Sequence, residues 1–120
     1  MPRPEQIVEA IETYCRAETE GDKDSFMAIF ADKVLHEDPV GIAVRHDRAG
    51  LEEMWGMAQA CNVELWLEQD IIVCGNEAIA LMRCRTGPAN ERREMGPIVD
   101  HFVFDDGGKI TSVRAFYKFN

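Results

Sequence analysis

No apolar run in the 120 residues is long enough to cross a bilayer as a helix. The opening Met1-Pro2-Arg3-Pro4-Glu5 lacks the apolar core of a secretory signal, so a cytoplasmic location is expected. Basic runs are also missing. Arg92-Arg93 is the longest, against a formal net charge of −9, so neither nucleic acid nor an anionic membrane is expected as a partner. The four cysteines, Cys15, Cys61, Cys74 and Cys84, stand singly with no CxxC or Cys/His cluster, and are expected to be reduced thiols, mostly buried. His36, His46 and His101 fall at no ligand spacing, so no metal is expected. There is no linker, repeat or low-complexity stretch, which leaves a single domain over residues 1–120. With 46% hydrophobic and 29% charged residues, the chain can bury one core.

What is present reads as helices followed by strands. Pro4 opens a first helix, along which Ile7, Ile11 and Tyr14 recur on one face. Gly21 ends it, and Asp22 caps a second helix whose inward side carries Phe26, Met27, Ile29 and Phe30. Val34 and Leu35 form an extended approach to Asp38. Asp47 caps a third helix with Leu51, Met54, Trp55 and Ala58 on its apolar face. From Val63 the period becomes that of strands, with turns at Gly75-Asn76, Gly87-Pro88-Ala89-Asn90 and Asp105-Asp106-Gly107-Gly108. Three N-terminal helices and a strand meander predict an α+β fold, with a curled antiparallel sheet closing on the helices around a pocket.

Three polar residues stand out against apolar surroundings. Asp38 precedes Pro39, which drives it out of the helical region and holds it at the end of the extended segment. Strand alternation puts Asp100 on one face with Ile98, Phe102 and Phe104. Desolvation there favours the neutral acid, which donates a hydrogen bond as a carboxylate cannot. The competing reading is a solvated strand acid or one paired with Arg83 or Arg114. Tyr14 lies on a buried stripe, where its hydroxyl serves either a structural partner or a developing oxyanion.

Tyr14, Glu37-Asp38-Pro39-Val40-Gly41 and Pro97-Ile98-Val99-Asp100-His101-Phe102 with Gly108-Lys109-Ile110 resemble bacterial ketosteroid isomerase. Phe30-Ala31-Asp32, Gly75-Asn76-Glu77-Ala78 and Val113-Arg114-Ala115-Phe116 extend the likeness over nearly the whole chain. The resemblance implies the cone-shaped fold of the nuclear transport factor 2-like (SnoaL-like) superfamily, a homodimer and no cofactor. It also implies a steroid delta-isomerase, which moves a double bond of a 3-oxo-Δ5 steroid into conjugation with its ketone. Asp38 would then carry the proton, and Tyr14 with a protonated Asp100 would stabilise the dienolate oxygen. That pairing of ionised base and neutral acid is the family's own well-known assignment, carried over by resemblance.

Phe26, Phe30, Trp55, Met82, Phe102, Phe116 and Tyr117 are the candidates for lining a pocket for a flat apolar ligand, although each also suits a core. Trp55 stands where the resembled family often has a tyrosine. The alternatives are another enzyme on the same fold (a dehydratase, a polyketide cyclase or an epoxide hydrolase, the last built on Arg83 and Asp100) or a non-catalytic module binding a steroid-like lipid.

Overall fold

A computed structural model describes residues 1–118. The first helix, α1, runs Pro4–Glu20 and stops at Gly21, whose φ of 75° lies in the left-handed region open to glycine. Asp22 accepts from the Ser25 amide and starts α2, Lys23–Ala28. Asp47 accepts from the Gly50 amide at 2.8 Å and starts α3, Arg48–Ala60. Both aspartates thus satisfy amides that a helix start leaves unpaired.

The strands are β1 (Phe30–Glu37), β2 (Val44–Arg45), β3 (Glu64–Leu67), β4 (Ile72–Cys74), β5 (Glu77–Thr86), β6 (Arg93–Phe104) and β7 (Ile110–Phe116). They form one sheet in the order β2-β1-β7-β6-β5-β3, with β4 pairing β5 beside β3. The meander is antiparallel as expected, but β1 joins β7 in parallel, so the sheet is mixed. The long excursion from β1 through the rest of the chain is what permits a parallel return.

Sequence periodicity places Ile29 and Phe30 in the second helix, whereas α2 ends at Ala28 and Phe30 opens β1. The sheet edge wins here: the Ile110 amide donates to the Ile29 carbonyl, and Lys109 Nζ donates to that of Ala28. Cys61 and Cys74 are exposed, one just past α3 and one at a hairpin turn, so only Cys15 and Cys84 are buried.

One apolar core lies between the helices and the concave sheet face. Ala78, Ala80, Met82 and Cys84 of β5 meet Ile98, Phe102 and Phe104 of β6 on that face, as period-two alternation requires. Ile7, Ile11 and Tyr14 of α1 cover it, with Leu51, Met54 and Trp55 of α3. Among the described residues, no helix is long and apolar enough to cross a membrane.

Candidate active site

Between α1, α3 and the concave sheet lies a cavity of about 280 Å³, into which Tyr14, Asp38 and Asp100 all project. Three elements distant in sequence bring them there. Tyr14 stands on the buried stripe of α1, Asp38 follows the last residue of β1, and Asp100 points inward from the middle of β6.

Asp38 is held by its own turn. Its amide donates to the Ala43 carbonyl, and the Val40 amide donates to Ala115 of β7. Gly41, at a φ of 83°, gives its amide to the Glu37 carboxylate, which also accepts from Arg114 Nε at 2.9 Å. These two donors hold the Glu37 carboxyl below the usual carboxylate range and turn it away from the cavity. Asp38 itself accepts a 2.7 Å hydrogen bond from the Tyr117 hydroxyl. Burial, that bond and the neighbouring Asp38 charge push the Tyr117 phenol up, so it stays a donor.

Asp100 has the opposite surroundings. It is 4% exposed, and its Oδ1 has no hydrogen-bond partner among the described residues. Burial, and then the negative charge of Asp38, raise its pKa well above the ordinary carboxyl value. A carboxyl so placed keeps its proton. Arg83 does not relieve it: that side chain points to the other face of the sheet, where it pairs with Glu68 and Glu94. The arginine that reaches the cavity wall is Arg45, tethered to Glu53.

The Tyr14 ring sits inside an aromatic cage. Phe26, Phe30 and Phe102 lie with ring centroids 5.3, 6.1 and 5.4 Å away, and Trp55 backs Phe26 at 4.8 Å. Phe26, Phe30, Trp55, Met82 and Phe102 are therefore core behind the cavity wall. The three phenylalanines pack on the tyrosine ring, and none of the five lines the cavity. Phe116 lies on the outer face, 41% exposed, so of the seven apolar candidates Tyr117 alone lines the cavity. The walls are instead Met54, Ala58, Val63, Leu65, Cys84 and Ile98, with Met57 and Met95 at the more exposed positions.

Two polar side chains of the site escape the sequence reading. His36 is 1% exposed, with Nε2 3.4 Å from the Tyr14 hydroxyl. Burial draws its pKa down to about 4, the Asp38 charge opposing and Arg45 assisting, so the ring is neutral. Glu18 is 5% exposed and lines the cavity one turn beyond Tyr14. Both had a signal in the sequence. Val34, His36 and Asp38 share parity, and Glu18 continues the 7-11-14 stripe. Tyr14, pushed well above the ordinary phenol value by burial and then by Glu18, Asp100 and Asp38, remains protonated.

The arrangement supplies one hydrogen-bonded carboxyl group at a turn, and a phenol and a neutral carboxylic acid deeper in the same apolar space. It can move a proton at one point of a ligand while hydrogen-bonding an oxygen at another.

The sequence profile of the SnoaL-like domain matches residues 11–113. A steroid delta-isomerase of Nocardioides simplex is 31% identical over 112 residues, spanning 93% of this chain and 89% of that protein. Among solved structures, SalBIII superposes with a TM-score of 0.89 at 26% identity, covering 99% of this chain and 95% of its own. SalBIII is described as an epoxide hydrolase/cyclase-like enzyme with a role in pyran ring formation in the polyether salinomycin. A Mycobacterium tuberculosis protein solved with estradiol-17beta-hemisuccinate shares the fold, with a TM-score of 0.86 at 16% identity and 95% of each chain covered.

Proposed function

The chain belongs to the SnoaL-like domain family, and from that premise we propose that it is an isomerase shifting a β,γ-unsaturated ketone, of the 3-oxo-Δ5 steroid kind, into conjugation. One observation carries the reading: Asp38 and Asp100 face one cavity in opposite environments, the first hydrogen-bonded and half-buried, the second buried with an unpaired oxygen. Asp38, as a carboxylate, takes the proton from the carbon between ketone and alkene. The electron pair moves into the dienolate, and the ketone oxygen gains charge. The Tyr14 hydroxyl and the Asp100 carboxylic acid donate hydrogen bonds to that oxygen. Asp38 then returns the same proton to the far carbon of the dienolate, so no atom is gained or lost and no cofactor takes part. The relationship to a steroid delta-isomerase supports the substrate class.

His36 assists this reading as a positioning residue. With Nε2 protonated, the imidazole donates to the Tyr14 oxygen, and the tyrosine's own proton is left to face the ligand. We assign that tautomer. We also carry over the homodimer implied by resemblance, with Ile79 and Phe116 exposed on the outer sheet face; sedimentation measures it directly.

A second reading is favoured by the SalBIII likeness. The same three groups suit ring closure of a hydroxy-epoxide: Asp38 takes the hydroxyl proton while Tyr14 or Asp100 protonates the leaving epoxide oxygen. The test is a 3-oxo-Δ5 steroid deuterated at the carbon between ketone and alkene. The isomerase reading requires conjugated product with deuterium retained at the far carbon. Closure of a hydroxy-epoxide with no isomerisation establishes the second reading instead.

A further inference from the structure

Beyond Tyr14, Asp38 and Asp100, the cavity holds a buried carboxyl group without a task. Glu18 lies four residues beyond Tyr14 on the same face of α1, 5% exposed and lining the cavity. Among the described residues its carboxyl makes no hydrogen bond and no ion pair; the contact it does have is through its backbone carbonyl, which accepts from Gln59 Nε2. At 5% exposure a carboxyl with no protein partner is costly to keep, yet its oxygens still open onto the cavity, since the sealed and unpartnered side-chain atoms among the described residues are His36 Nδ1 and Asp100 Oδ1. Core alternatives of the same length, Met or Leu, would fit the stripe without that cost. The wall near it, with Leu65, Val63 and Ala58, is apolar and offers no partner.

We propose that Glu18 is a second recognition point of the cavity, hydrogen-bonding a second oxygen of a substrate whose first oxygen is held by Tyr14 and Asp100. Four residues separate the two side chains along α1, a backbone rise of about 6 Å. The ligand class is therefore a flat apolar molecule bearing two oxygens at separate points of its frame. Its second oxygen is an acceptor, because Glu18 carries a proton at neutral pH: burial first, with the nearby Asp100 and Asp38 carboxyls adding, brings its pKa to about 8. The titratable and charged groups facing the same space are Tyr14 on α1, Asp38 after β1, Arg45 on β2, Cys61 after α3, Cys84 on β5, Asp100 on β6 and Tyr117 after β7. Arg45, the only cation among them, is engaged by Glu53. The proposal rests on the reading of Tyr14 and Asp100 as the first oxygen site.

Pairs of 2-naphthols carrying either methoxy or ethyl at carbon 5, 6 or 7 isolate this contact, because the two substituents match in size and differ by one oxygen. Dissociation constants are measured for the natural protein, Glu18→Gln, Glu18→Leu and Tyr14→Phe. The expected result is a methoxy preference of about tenfold in at least one pair, reversed to an ethyl preference in Glu18→Leu and largely kept in Glu18→Gln, whose amide still donates. In the natural protein the preference falls between pH 7 and 9, and in Glu18→Gln it does not. The Gln variant keeps shape and volume, so its pH profile decides the matter even if the Leu variant fails to fold. No methoxy preference in any pair, or one that Glu18→Leu leaves intact, overturns the proposal while Tyr14-dependent naphthol binding still supports the first oxygen site. Naphthol binding that is absent, or indifferent to Tyr14→Phe, overturns both.

Discussion

The Tyr117 hydroxyl lies 2.7 Å from Oδ1 of Asp38, a hydrogen bond between residues 79 apart in sequence. It ties the segment after β7 to the turn after β1, and the parallel pairing of those two strands makes the contact possible. A base that must swing between two carbons of a ligand needs its resting position defined, and this bond defines it. Replacing Tyr117 with Phe leaves the carboxylate less well placed. The expected outcome is a fall in kcat of about tenfold, with the melting temperature within a few degrees of the natural protein. Steady-state kinetics on a 3-oxo-Δ5 steroid beside a thermal melt measures both.

In the proposed reaction, Tyr14→Phe removes one of the two donors to the ketone oxygen and leaves the aromatic cage filled. Loss of such a donor typically costs about 10²–10³ in kcat. KM should move far less than kcat, since the contact strengthens as charge develops on the oxygen. Equal losses in binding and turnover would place the hydroxyl in ground-state recognition only.

The buried ionisable groups also set the pH dependence of stability, in opposite directions. His36 has a folded pKa near 4, below its unfolded value, so the unfolded chain binds the extra proton between about pH 6.5 and 4 and stability is lost as pH falls through that window. Glu18 has a folded pKa near 8, above its unfolded value, so the folded chain binds the extra proton and stability is lost as pH rises from about 4.5 towards 8. Melting curves from pH 4 to 9 should therefore show Glu18→Gln gaining on the natural protein as pH rises, by on the order of 5 °C or more. His36→Leu should flatten the acid side of the curve and lower kcat, because Tyr14 loses its imidazole neighbour.

Trp55 and Met57, two residues apart on α3, separate packing from binding. Trp55 is 6% exposed against Phe26 and outside the cavity wall, whereas Met57 is 57% exposed and touches it. Trp55→Ala should cost about 3–5 kcal/mol of stability through the void it leaves behind Phe26. Met57→Ala should cost under about 0.5 kcal/mol and weaken ligand binding instead. Denaturant titration and naphthol binding on the two variants separate the effects.

Much of this was legible in the residues themselves. Pro4, Gly21, Asp22 and Asp47 mark the helix ends where they occur, and alternation along β6 places Asp100 on the buried face. The cavity wall was not legible, because a period tells which side a residue faces and not what fills the space in front of it. Phe26, Phe30 and Phe102 face inward as expected, yet they are spent on the Tyr14 ring before they reach the cavity. Arg83 fails as a partner for Asp100 on parity across the sheet, since Asp100 pairs with Ala80 and Arg83 lies on the opposite face. The parallel pairing of β1 with β7 is a long-range choice that no local pattern encodes.

In the proposed reaction Asp38 is the group that carries the proton. The most direct measurement follows the ultraviolet absorbance of the conjugated enone when the purified protein meets a 3-oxo-Δ5 steroid, beside Asp38→Asn. The amide keeps the Tyr117 contact and the shape of the turn, but it cannot accept a carbon proton. Proton transfer by Asp38 gives a steady rise in absorbance with the natural protein and a rate lower by at least about 10³ with Asp38→Asn, while phenol binding at Tyr14 and Asp100 persists. An Asp38→Asn variant that isomerises the steroid as fast as the natural protein would contradict it.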